Sequence, residues 1–366
     1  VALQLSDGQG DVMKAYPLAL SVPVATHIFG GQRIKQQLGK VDLPDSRIAE
    51  TWEISDVDGM IASVVNGEYA GCSLRELVER FPDEIVAPGW RGPYFPLLSK
   101  FIDGSGMLPV HLHANDKVAQ ALEQQPNGKT EAWYILWAAE DATCLLGVRE
   151  GVDNARLKAA LLAEDYDAVM HRVPVKTGDT FYVPGGMLHS FGPDTLIYEI
   201  EQTSDIQQHA MPWRMEDGSR LSQQEWERNI DALLQELRPE LRFEPQPGLV
   251  LEAPDLKRLF CCAGPYFALE RWSFSQTQRF HFNSARILTN LGAPLTVEAN
   301  GISVPVDRAA SLLLPAALDE VTLHDAGDVL IGYVPDLMAD VLQPLRDAGY
   351  REDQIAALGD IDGQLR

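Results

Sequence analysis

Basic residues are scarce in this chain: 30 Lys and Arg stand against 53 Asp and Glu, a formal charge of −23. That field repels nucleic acid and anionic lipid, and no run of Lys or Arg offsets it locally, so neither a nucleic acid nor a membrane is an expected partner. A phosphorylated small molecule meets the same repulsion unless a local basic pocket overrides it. Uninterrupted apolar runs of membrane-spanning length are also missing. The apolar stretch from Tyr16 to Gly31 is broken by Pro17 and Pro23, with only Lys14 as a nearby basic flank. It suits an opening strand better than a signal peptide. Cysteine is sparse, and Cys72, Cys144, Cys261 and Cys262 lack any C-x-x-C spacing. Adjacent Cys261 and Cys262 would point to opposite faces of a strand and could not readily pair. Reduced, buried thiols and a cytoplasmic setting are the expectation.

What is present is ordinary globular material, 45% hydrophobic and 23% charged over 366 residues, long enough for two domains and extra pieces. Strand signals dominate. Ala49–Ser55 alternates acidic and apolar residues with period two, and further strands are predicted near 94–102, 131–138, 144–148, 173–183 and 196–200. Helical spacing is confined to a few stretches. Ser73 and Glu76 form a capping box that opens a short helix to about Arg80. Residues 114–125 and 154–170 read as helical, and 222–237 is an amphipathic connector ending before Pro239. A second strand-rich block spans about 243–335, and the last thirty residues return to helix. Short strands with turns every eight to twelve residues argue for sandwiches or barrels. The expected fold is mainly β, two sandwich or jelly-roll modules with a few inserted and connecting helices. The modules are placed at 1–221 and 241–337, with a helical connector at 222–240 and a helical tail at 338–366.

Two motifs carry chemistry. His111-Leu112-His113 puts two imidazoles on one face of a strand, a ready chelate for a divalent ion. Gly178 to His189 has the spacing G-x5-P-x-G-x2-H, in which glycines and proline turn a strand sharply before its final histidine. This resembles the second signature of the cupin superfamily, and Glu131 falls where that superfamily's first motif supplies its carboxylate. Three histidines and one carboxylate leave coordination positions open for water or substrate. His27, His171, His281 and His324 have no partner at ligand spacing and read as structural. The second module has no H-x-H and no Gly/Pro/His turn; Phe280-His281-Phe282 offers a lone histidine. That module reads as a metal-free cupin-like sandwich.

Beyond the metal motifs the chain resembles the type I phosphomannose isomerase family. The similar segments are Phe29-Gly30-Gly31, Ala49–Ser55, Pro96–Asp103, Gly128–Tyr134, Arg172–Asp179 and Glu199–Asp205, together with the insertion Ala114–Thr130 between His113 and Glu131. The resemblance is strong over about 20–240, fainter over 243–335, and leaves out the final thirty residues. It implies a metal-dependent aldose–ketose isomerase that moves a proton between C1 and C2 through an enediol, acting on a small sugar or sugar phosphate. It further implies one divalent metal, zinc by resemblance, held by His111, His113, Glu131 and His189. Lys129 and Glu199 become the candidates for acid–base or oxygen-positioning work, and Lys100 for substrate contact. Three positions depart from the family pattern. A ligating Gln becomes His111, a serine near the substrate phosphate becomes Pro109, and an arginine falls at His209. Arg214 and Arg220 are the nearby cations that could substitute, and His209 and Arg214 are carried forward as candidate substrate-binding residues. Other readings stay open: an isomerase of a different, unphosphorylated sugar, a non-catalytic carbohydrate-binding or regulatory cupin, or an oxygen-using cupin with iron or manganese. The sequence assigns no oligomeric state.

Overall fold

The computed structural model describes residues 13–361. Residues 1–12 and 362–366, the outer ends of the expected first module and of the helical tail, lie outside the described residues. Four antiparallel sheets stack as two barrels placed back to back. The first barrel pairs a five-stranded sheet with a six-stranded one. In the five-stranded sheet the order is Gln208–His209, His111–Leu112, His189–Phe191, Thr143–Val148, Met170–Pro174. In the six-stranded sheet it is Val24–Ala25, Glu50–Ile54, Leu97–Gly104, Thr195–Gln202, Glu131–Ala138, Thr180–Val183. The second barrel joins a seven-stranded sheet to the four-stranded sheet of Gln278–His281, Glu320–Leu323, Leu295–Ala299 and Ile302–Val306. The expected pair of β modules is what forms.

Period-two alternation explains the layering. In Thr195–Gln202, Leu196, Tyr198 and Ile200 face the neighbouring barrel, whereas Ile197 joins the core inside the first barrel with Ile102, Trp133, Phe181 and Phe191. Glu199 and Glu201 share the face of Ile197. On the far side of the interface Ile287, Leu313 and Leu330 of the second barrel complete the same core. Tyr134 and Tyr198 put their hydroxyls into it and each finds a partner: Arg271 donates to Tyr134 at 2.7 Å, and Thr289 lies 3.1 Å from the Tyr198 hydroxyl. On the outer face of the five-stranded sheet, Leu157 and Leu161 of one helix and Trp226, Ile230 and Leu233 of another cover Val110, Leu112, Leu145 and Leu188.

The modules exchange chain as well as surface. Leu18 and Ala19 pair with Leu313 and Leu312, so a strand that the division at residue 221 gives to the first module is hydrogen-bonded into the second. Lys40 donates to Glu53 at 2.8 Å and to the carbonyl of Ala309 at 2.6 Å, and Ser311 lies 3.1 Å from the same buried carboxylate. No helix among the described residues is long and apolar enough to cross a membrane.

Several elements are shorter than their sequence pattern. The helix predicted over 154–170 runs only Asn154–Leu162, because Glu164 adopts φ +56 and Met170 already starts a strand. The strand predicted over 173–183 is cut by a turn at Gly178 (φ +93). The helix over 114–125 is one turn, Asp116–Val118, widened into a π-helical turn at Ala119–Glu123. That insertion is pinned by Gln208, whose amide donates to Glu123 at 3.0 Å and to Glu236 at 2.9 Å. Burial and the neighbouring Glu123 carboxyl push Glu236 up to about 8. A carboxyl raised in the fold adds stability when protonated and loses it as pH rises through the folded value. Glu236→Gln should therefore flatten the fall in denaturant midpoint between pH 5 and pH 9 relative to wild type. Parallel slopes in the two proteins would refute the shared proton.

Candidate metal centre and active site

The two sequence motifs meet at one hydrogen bond. The Gly186 amide donates to the His113 carbonyl at 2.6 Å, and the Lys129 amide to that of Ala114 at 3.0 Å. A Cβ on Gly185 would come within 2.7 Å of the Asn115 backbone, so only glycine lets the turn before His189 lie this close. His189 is then paired directly with His111 across two strands.

Each histidine is oriented from behind. Nδ1 of His111, His113 and His189 lies 2.8, 2.7 and 2.8 Å from the carbonyls of Pro109, Ile206 and Met187. A carbonyl only accepts, so Nδ1 carries the proton and Nε2 keeps its lone pair. The Nε2 atoms of His113 and His189 lie 3.1 and 3.0 Å from the two Glu131 oxygens, and all four atoms lack a hydrogen-bond partner. Burial and neighbouring positive groups hold His111 well below the usual imidazole range and His113 down to about 3. Neutral, lone-pair-bearing imidazoles beside a carboxylate are what a divalent cation requires, and the residues fit it. Pro109, which lacks the serine hydroxyl, still serves the site through its carbonyl.

Beside this cluster the six-stranded sheet carries a row of buried charge. Lys100 is paired with Glu199 and Trp52 in the sheet register, and Glu201 with Glu131. The strand of Lys100 is thus separated from that of Glu131 by the strand of Glu199 and Glu201. Lys129 reaches Glu201 at 2.7 Å and Glu131 at 3.1 Å, and Lys100 reaches Glu201 at 3.1 Å, Glu199 at 3.6 Å and Glu50 at 3.7 Å. Lys100 also stands over the Trp52 ring at 4.1 Å. Burial opposes charge on both lysines, but the surrounding carboxylates outweigh it and hold both above the ordinary ammonium range. Glu131 is driven well below the carboxylate range, Lys129 and the histidines overcoming the burial that would raise it. Burial pushes Glu199 and Glu201 up instead. Trp133 donates to Oε1 of Glu199 at 2.9 Å, while Oε2 has no hydrogen-bond partner.

A cavity of about 410 Å³ opens onto this row, lined by His111, Glu131, Lys100, Lys129 and Glu199 together with His27, Glu50, Asp205 and Glu216. Two of the expected substrate contacts, His209 and Arg214, are not among the residues lining this cavity. His209 packs edge-on against His111, with ring centroids 5.8 Å apart, and does not line the cavity. Arg214 is paired with Glu225 at 2.6 Å, and Arg220 with Glu164 at 3.4 Å. Sequence reasoning missed Glu201, although its place two residues after Glu199 puts both on one face. It also missed Glu50 and Trp52, which sit inside a segment singled out for its resemblance, and His27, which had no spacing signal.

Two facing sheets with a His3Glu cluster inside one barrel define a metal-binding, two-barrel cupin. No protein-family model matches the chain, but whole-chain relatives are clear. A mannose-6-phosphate isomerase of Streptococcus mutans is 30% identical over 279 residues, covering 76% of this chain and 85% of its own. A probable mannose-6-phosphate isomerase of Bacillus subtilis is 28% identical over 322 residues, covering 87% and 99%. The crystal structure of the mannose 6-phosphate isomerase from Bacillus subtilis superposes with a TM-score of 0.76 at 23% identity, covering 87% of this chain and 99% of that one. The chain belongs to the mannose-6-phosphate isomerase family.

Glu131 supplies the only formal charge among the four candidate ligands, so Glu131→Gln should abolish tight metal binding. After supplementation, elemental analysis should find about one equivalent of a divalent metal in wild type and under about a tenth in the variant. Equal metal in both would remove Glu131 from the set.

Proposed function

We propose that this chain is a metal-dependent aldose–ketose isomerase of the mannose-6-phosphate isomerase type, transferring a proton between C1 and C2 of a sugar through an enediol. The observation that carries the reading is Oε2 of Glu199, a buried carboxylate oxygen that accepts no hydrogen bond and has only Lys100 at 3.6 Å, in the wall of the cavity that also exposes His111 and Glu131. The metal, zinc by family resemblance, would be held by His111, His113, Glu131 and His189; when bound it supplies Lewis-acid polarisation of the sugar's carbonyl and adjacent hydroxyl. Glu199 accepts the carbon-bound proton on Oε2 and returns it to the neighbouring carbon, with Trp133 locking the other oxygen. A carboxyl raised by burial sits closer to neutral pH and is a stronger base than an exposed one. Lys129 stays charged between Glu201 and Glu131, so its part is to donate to the sugar oxygen where negative charge develops, rather than to act as base. Lys100 holds a further hydroxyl, and Trp52, Trp133 and Phe191 keep bulk water from the reacting carbons.

Proton exchange followed by NMR in deuterated water, across free and phosphorylated hexoses and pentoses, tests the reaction class. Glu199→Gln and Lys129→Met should each lower turnover by about 10²–10⁴-fold with the metal retained. Near wild-type rates in both variants would place the base elsewhere.

One observation favours a second reading, in which the sugar is not phosphorylated. Among the described residues no arginine lines the cavity, Lys100 and Lys129 are already engaged by buried carboxylates, and Asp205 and Glu216 add negative charge to the wall. A phosphate dianion is best held by a planar, permanently charged guanidinium, and neither Arg214 nor Arg220 provides one here. On this reading, kcat/KM for free mannose or a related aldose equals or exceeds that for mannose 6-phosphate. A preference of about a hundredfold or more for the phosphorylated sugar, lost in Arg214→Ala or Arg220→Ala, would restore the relatives' named substrate.

A further inference from the structure

The barrel without metal ligands also has a polar interior. Arg258 and Glu270 form a two-pronged pair at 2.8 and 2.9 Å, and Trp272 donates to Glu270 at 2.7 Å. The Tyr333 hydroxyl donates to the same carboxylate at 2.5 Å. Glu270 is therefore saturated. These residues line a cavity of about 240 Å³ together with Phe280, His281, Arg286 and Asp340.

Arg286 is the group left over. It is 8% exposed, yet among the described residues no carboxylate lies within ion-pair distance of it. Its guanidinium lies over the Tyr333 ring at 4.2 Å, and Nη1 donates to the Ser284 and Ala285 carbonyls at 2.9 and 3.3 Å and to the Ser284 hydroxyl. Among the described residues only Nη1 donates; Nε and Nη2 do not, and they are not among the fully buried atoms of a residue that lines the cavity. Burial without a counter-ion holds Arg286 below the usual guanidinium range, with Tyr333, Asp340 and Glu270 only partly offsetting it. An unpaired buried cation is costly and persists where something anionic compensates it. The other walls add detail. Trp272 and Phe280 offer apolar ring surface, and Asp340 and His281 offer partners for hydroxyl groups.

We infer that the cavity of the second barrel is a binding site for a small oxyanion carried on a polyol, a sugar phosphate or a sugar acid, with Arg286 as its fork. The site goes beyond the isomerase reading and lies in the barrel that lacks the histidine cluster. Glucose 1-phosphate and gluconate are suitable probes, because neither offers a free carbonyl carbon to isomerise. Calorimetric titration of the metal-loaded protein should show one equivalent of at least one of them bound in wild type. Binding should weaken about tenfold or more in Arg286→Gln and less in Arg286→Lys, which keeps charge but not the fork. Isomerase turnover should be unchanged in both, which separates failure here from failure of the catalytic reading. If Arg286→Gln loses its thermal transition, Arg286→Lys alone carries the comparison. The ratio of the two probes tells phosphate ester from carboxylate. No binding of either probe to wild type, or wild-type binding in the folded Arg286 variants, overturns the site. Inorganic phosphate binding as tightly as the better probe overturns the polyol part.

Discussion

Four carboxylates, Glu50, Glu131, Glu199 and Glu201, are packed into one wall of the first barrel against two ammonium groups, Lys100 and Lys129. Taken alone, this arrangement leaves two negative charges out of water, which a protein interior does not tolerate cheaply. A divalent cation at the three histidines and Glu131 balances the count. The same carboxylates keep the two lysines charged, and burial holds His111 and His113 low while it pushes Glu199 and Glu201 up. The catalytic reading is thus a consequence of charge balance in a dry cavity as much as of any single side chain.

The two barrels solve one problem in different ways. Both present polar side chains on the inward face of a β-sandwich, where alternation would ordinarily place apolar ones. In the first, Nε2 atoms of His113 and His189 and the Glu131 oxygens make no hydrogen bond within the described residues and are suited to a cation. In the second, Arg258, Trp272 and Tyr333 close around Glu270 and leave Arg286 over, so that the uncompensated charge has the opposite sign. A barrel without a histidine cluster is not thereby plain packing.

Much of this was legible in the sequence because it depends on short-range spacing. H-x-H, the Gly–Pro–Gly–His turn and the alternation of strands such as Glu131–Ala138 are local, and they pointed to the candidate ligands and to both sandwiches. Ion-pair choices were not legible. Arg214 and Arg220 lie near the cavity along the chain, but Glu225 and Glu164, brought up by folding, claim them. Likewise the π-helical turn at Ala119–Glu123 and the turn at Gly178 arise from tertiary fit and backbone sign, which hydrophobic period does not encode.

The opening strand has a consequence for how the protein comes into being. Leu18 and Ala19 find their strand partners only at Leu313 and Leu312, although Ala19 also bonds to Val65 and Asn66, and Lys40 finds its carbonyl at Ala309. During synthesis these first segments leave the ribosome long before their partners exist, with an apolar strand edge unpaired for most of translation. The outer surface of the metal barrel against the second barrel stays open until Ile287, Leu313 and Leu330 have been made. Release of a nascent chain truncated before residue 309 would therefore yield a metal site on a body with a bare apolar back, a natural substrate for chaperones.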